Sequence, residues 1–113
     1  MIGFLRVLFG LVLAGMLAVT MVASLERGVF EAAAELWQDP WFRATLADAY
    51  FGFLTVYVWI AYRERGWARR LLWFVLLMAL GNIAIAGYLL WALFRLPADA
   101  PLERLLLRPA DRA

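Results

Sequence analysis

Three long apolar stretches constrain this chain more than any other feature. Val7 to Leu25 carries no charge, Ala44 to Tyr62 carries only Asp48, and Leu71 to Phe94 carries none. Each is close to the roughly 20 residues an α-helix needs to cross about 30 Å of hydrocarbon at 1.5 Å per residue. Hydrophobic residues make up 66% of the 113, against the ~45–50% of an ordinary soluble domain. The expected fold is an all-α membrane protein: a three-helix transmembrane bundle with a short interfacial amphipathic helix between its first two helices. The bundle takes residues 1–96, and residues 97–113 form a polar C-terminal tail. Arg6, the first apolar run and the small residues Ala23 and Ser24 loosely fit a cleaved signal. That run is longer than the roughly 7–15 apolar residues of such a segment, so a retained helix is expected.

The chain has no cysteine and no histidine. Disulfides, zinc sites built on thiolate or imidazole, iron–sulfur ligation, haem with an axial histidine and a Ser-His-Asp triad are excluded. No cofactor and no metal is expected. The net charge of +2 sits in the flanks of the apolar runs. Nucleic acid gains no support as a partner, and the lipid bilayer is the expected surrounding.

Helix one is expected from about Gly3 to Val22. Gly10, Ala14 and Ala18 form a small-residue stripe on it that permits close approach of another helix. Ser24 to Asp39 keeps Leu25, Val29, Ala33 and Leu36 at helical spacing, with Glu26, Glu31 and Glu35 opposite. This predicts a short amphipathic helix, interrupted near Gly28, that caps the bundle mouth. Asp39-Pro40 is a helix start, with aspartate as N-cap and proline at the first helical position. Helix two then runs to Tyr62, a basic turn RERGWARR follows, and helix three runs from Leu71 to Phe94 until Leu96-Pro97 ends it. Pro101 and Pro109 punctuate the tail, whose apolar patch is Leu102 and Leu105 to Leu107.

The positive-inside rule puts Arg63, Arg65, Arg69 and Arg70 in the cytoplasm. The N-terminus is then cytoplasmic and the C-terminus outside. Arg95, Arg104, Arg108 and Arg112 in the tail pull the other way.

An ionised carboxylate at the centre of a membrane helix costs roughly 2.5–3.5 kcal/mol on insertion scales, so Asp48 needs a reason to be there. Thr45, Asp48, Gly52, Thr55, Trp59 and Tyr62 recur at steps of three and four, one stripe of helix two. That stripe is expected to face the bundle interior, as intramembrane carboxylates do. With the midplane near Gly52, helix rise puts Asp48 about 6 Å, and Tyr88 about 8 Å, toward the same side. Tyr88, Asn82 and Thr20 are the candidate partners. Asp48 has three candidate roles: locking the bundle by hydrogen bonds, carrying a proton or cation, and acting as a general acid on a lipid. Arg63, Glu64, Arg69 and Arg70 form a second cluster, read as an interfacial ion-pair belt or as a site for a lipid headgroup or phosphate. Glu64 can pair there with Arg65, Arg69 or Arg6.

Pro40-Trp41, Thr45-Leu46, Asp48, Tyr50, Trp59, Tyr62-Arg63-Glu64 and Trp67 form a recognisable string, continued by Trp73, Gly81 and Tyr88. It resembles a family of small three-span membrane proteins of unknown function from bacteria and plants, domain of unknown function 1475. Asn82 stands where that family often shows serine. The resemblance covers roughly half the chain and implies three spans, with Asp48 and Glu64 as signature acids. It brings no established activity.

Three helices enclose too little interior for a substrate path. A homo-oligomer, or a subunit of a larger membrane complex, is therefore expected in a bacterial inner membrane. The functional expectations are an oligomeric or accessory bundle with a polar intramembrane site at Asp48, Thr45, Thr55, Asn82 and Tyr88; a half-transporter-like dimer moving protons or a small solute; and an enzyme of lipid or isoprenoid metabolism with Asp48, and with it Glu64, as acid.

Overall fold

The computed structural model describes residues 1–108, and among these every regular element is α-helical. Pro109 and Arg112 lie outside the described residues. α1 is Ile2–Glu26, α2 Val29–Leu36, α3 Pro40–Arg63, α4 Trp67–Leu80, α5 Asn82–Phe94 and α6 Glu103–Leu106. α1 and α3 are long and apolar enough to cross a membrane.

Local chemistry places most helix ends. Pro40 opens α3, and the Asp39 side chain accepts the Trp41 N–H at 2.9 Å. Gly28, with extended backbone, separates α1 from α2. α2 lies on the surface, and Arg27 forms an ion pair with Glu35 beside it.

The expected continuous third helix is not formed. It breaks at Gly81, whose φ of 58° and ψ of −122° leave the helical region. Positive φ is sterically open to glycine and costly to other residues. Space imposes the same choice, since a Cβ at Gly81 would lie 2.6 Å from Cζ of Phe53. The Gly81 N–H bonds the Leu77 carbonyl at 2.8 Å, and its own carbonyl accepts from Ile85 at 3.1 Å. One residue therefore ends α4 and begins α5. The two helices then fold back on each other. The rings of Trp73 and Tyr88 are 4.8 Å apart, whereas a straight helix would hold these residues about 22 Å apart.

α3 and α4 are antiparallel and pinned at two levels. The Tyr50 hydroxyl donates to the Met78 carbonyl at 3.0 Å, and the Tyr57 hydroxyl to the Arg70 carbonyl at 2.9 Å. α5 makes its most extensive contact with α1, also antiparallel. Ile2 packs with Ala92, Leu93 and Leu105, with Leu5 and Phe9 against them. The Arg6 guanidinium closes this end of the pair by donating to the carbonyls of Leu93 (3.1 Å), in the last turn of α5, and Leu96 (2.7 Å), just beyond it.

At 14 and 13 residues, α4 and α5 are about 20 Å long, whereas α1 and α3, at 25 and 24 residues, are about 37 Å. The hairpin therefore covers only the nearer half of the long helices. Residues 17–31 are exposed throughout, because α5 ends its reach along α1 near Met16.

The reversal also gathers charge. The start of α1, the 63–70 turn and residues 95–108 lie at one end, with Arg6, Arg63, Arg65, Arg69, Arg70, Arg95, Arg104 and Arg108. The start of α1 thus packs with residues 92–105, which a continuous third helix would have carried to the opposite end. The far end holds Glu26, Glu31, Glu35 and Asp39 with Arg27 and Arg43.

Candidate functional site

α3 carries two heptad-spaced stripes. Phe42, Leu46, Ala49, Phe53, Val56, Ile60 and Arg63 are half-buried or buried, and Phe53, Val56 and Ile60 among them pack on the hairpin. Thr45, Asp48, Gly52, Thr55 and Tyr62 are exposed. The interior orientation expected for the polar stripe is therefore wrong for this chain. Burial of the bulky apolar stripe, together with the two tyrosine bonds to α4, fixes the rotation of α3 and turns Asp48 outward. The hydroxyls of Thr45 and Thr55 bond back to the carbonyls of Trp41 and Phe51, both at 2.8 Å, a local habit of helical threonine. Trp59 is half-buried between the stripes. Thr20 and Asn82 are exposed as well, Asn82 at the hairpin tip. Neither Tyr88 nor Asn82 is paired with Asp48.

Tyr88 has a different carboxylate. Reversal at Gly81 carries it to the basic end, where it is fully buried and its hydroxyl donates to Oε2 of Glu64 at 2.8 Å. Glu64 is 2% exposed, and Arg69 reaches its Oε1 at 3.4 Å. Neither Arg65 nor Arg6 pairs with it. Arg70 holds the turn by donating from Nε to the carbonyls of Ala61 and Glu64, both at 3.0 Å, which offsets the negative end of α3.

Arg63 is 4% exposed, and its guanidinium lies 5.6 Å from the ring centre of Trp59 and 5.7 Å from that of Tyr88. Trp73 and Trp91 complete an aromatic cluster around Tyr88. Ring faces attract the cation but supply no lone pair in line with its N–H groups. Nε and Nη1 of Arg63 are sealed from solvent with no hydrogen-bond partner. Of the expected site residues, the fold thus joins Arg63, Glu64, Arg69, Arg70 and Tyr88 and leaves Thr45, Asp48, Thr55 and Asn82 on outward surfaces. Trp73 and Trp91 were not among the expected site residues. The density of tryptophan around the Tyr62-Arg63-Glu64 string was their available signal.

No group of three or more acidic side chains suited to a metal ion occurs among the described residues. A carboxylate held by two donors beside an unpaired, buried guanidinium can instead bind an anion or relay a proton.

The family model described as "Protein of unknown function (DUF1475)" matches residues 1–113. The chain belongs to this family. No curated protein and no solved structure shows significant similarity to it. Membership assigns no activity.

Proposed function

We propose that this family member is a homo-oligomeric integral membrane protein with two spans, α1 and α3, and a re-entrant α4–α5 hairpin. The hairpin enters from the arginine-rich side, which faces the cytoplasm of a bacterial cell. Polar stripes of neighbouring α3 helices meet, and the Asp48 side chains form an intersubunit site for a proton or small cation. The observation that carries this reading is the outward Asp48 on a helix long enough to span. In hydrocarbon a carboxylate turns toward protein or water, and this chain's own hairpin covers the opposite face of α3.

Two further features support it. Arg95, Arg104 and Arg108, which conflict in a three-span topology, lie at the same end as the 63–70 turn once the hairpin turns back, as the positive-inside rule favours. A helix break at membrane depth is tolerated where protein or a water-filled cavity covers it, and an oligomer supplies that cover.

The absence of native cysteine makes the test direct. Gly52→Cys, on the polar stripe, should form an oxidative cross-link between copies in membranes, whereas Val58→Cys, exposed elsewhere on α3, should not. Single cysteines at Ala68 and Asp99 should be labelled from one side of the membrane, and one at Ala34 from the other. Labelling of Ala68→Cys and Asp99→Cys from opposite sides would falsify the re-entrant hairpin, and a monomer in membranes would refute the intersubunit site.

A further inference from the structure

The basic end holds a cation without a counter-ion. Arg63 is buried, makes no hydrogen bond or ion pair among the described residues, and has Nε and Nη1 shut away from solvent. Burying guanidinium N–H groups without acceptors is costly, and the faces of two aromatic rings offset only part of that cost. The adjacent carboxylate supplies no hydrogen bond to it, because Glu64 is turned to Tyr88 and Arg69. Arg69 and Arg70 add positive potential to the same turn.

A short segment lies beside this cluster. α6 is a four-residue helix that follows two prolines. Among the described residues its Leu105 side chain is buried, Trp59 Nε1 donates to the Leu106 carbonyl at 3.0 Å, and just beyond it Arg108 Nε donates to the Tyr62 carbonyl at 2.7 Å. Both bonds land on residues flanking Arg63, one a helical turn before it and one next to it. Displacing α6 frees the indole N–H and opens the approach to the guanidinium.

We propose that Arg63 anchors a binding site for an oxyanion, a phosphate or carboxylate group, which enters by displacing α6 and takes hydrogen bonds from Arg63 and the Trp59 indole. The ligand supplies the acceptors that the closed protein lacks. Its source is a free anion or the headgroup of a lipid, since the site opens at the arginine-rich end of the spans.

The full chain is titrated with inorganic phosphate in a neutral detergent, and reconstituted in phosphatidylcholine vesicles with and without phosphatidic acid, with tryptophan fluorescence as the readout. Saturable binding of phosphate identifies a free-anion site. A response confined to phosphatidic acid identifies a headgroup site. Arg63→Gln should weaken either response at least tenfold, whereas Arg65→Gln, at an exposed neighbour in the same turn, should leave it unchanged.

Because Arg63→Gln removes a buried side chain, Leu105→Ala provides a second measurement. It loosens α6 and should tighten apparent binding several-fold, since a closed cover lowers the fraction of binding-competent protein. Absence of saturable binding in every arm overturns the site. So does binding that is indifferent to both Arg63→Gln and Leu105→Ala.

Discussion

Asp48 and Glu64 belong to the two halves of one molecule, and the halves treat a carboxylate in opposite ways. Glu64, at the end of α3, is buried under a tyrosine hydroxyl and an arginine, within a cluster of tryptophans. Asp48, nearer the start of the same helix, is exposed and has no partner among the described residues. The hairpin makes the difference. It fills the basic half with packed aromatic and charged groups and stops short of the acidic half. One half is packed within a single chain, and the other presents an exposed polar surface.

The largest test removes the hairpin itself. Gly81→Leu adds a side chain at positive φ and against Phe53, combining backbone strain of about 1–3 kcal/mol with overpacking of about 1–3 kcal/mol. The thermal midpoint in detergent should fall sharply, and the near-ultraviolet signal of the tryptophan cluster should collapse with it. A variant that kept both would show that the basic half does not depend on the reversal.

A smaller effect is expected at Tyr88. Tyr88→Phe keeps the ring but leaves Glu64 without its shortest hydrogen bond, at a cost of about 1.5–3 kcal/mol for a bond to a charged group. Chemical unfolding measures it directly, and an unchanged midpoint would mean that water replaces the hydroxyl and that the half is less closed than described.

The smallest effect on the single chain belongs to Asp48. Asp48→Asn should leave the melting temperature of detergent-isolated monomer where it was, yet alter cross-linking through Gly52→Cys in membranes. A marked loss of monomer stability would place Asp48 inside the fold and erase the contrast between the halves.

Several features could be read along the chain because they depend on neighbours in sequence. Asp39 and Pro40 announce the start of α3, Gly28 marks the gap before α2, and the apolar runs locate α1 and α3, which extend beyond them to 25 and 24 residues. Gly81 was harder. Gly-Asn suits a helix stop, but glycine is frequent inside membrane helices, and the surrounding run is uniformly apolar. The face of α3 was misread for a related reason: polar residues at heptad spacing mark a stripe, and the same spacing recurs in Phe42, Leu46, Phe53, Val56 and Ile60. Periodicity shows that a face exists but not which face turns inward. The Arg63–Glu64 cluster could be found as a string of residues, whereas its buried partner Tyr88 could not, because straight continuation of helix three carries that residue to the other end.

What the amino-acid sequence determined by itself was helix content, most helix ends, the two long apolar helices and the family. These follow from hydrogen bonds between residues four apart and from caps a few residues long. The direction of α5, the rotation of α3 and the choice of enclosed carboxylate were set by the fold. Those choices rest on contacts between residues distant in the chain: Phe53 on Gly81, Tyr50 and Tyr57 on α4, Tyr88 on Glu64. Packing energy selects among helix faces that local sequence leaves equivalent, and here it buried Glu64 and left Asp48 outside.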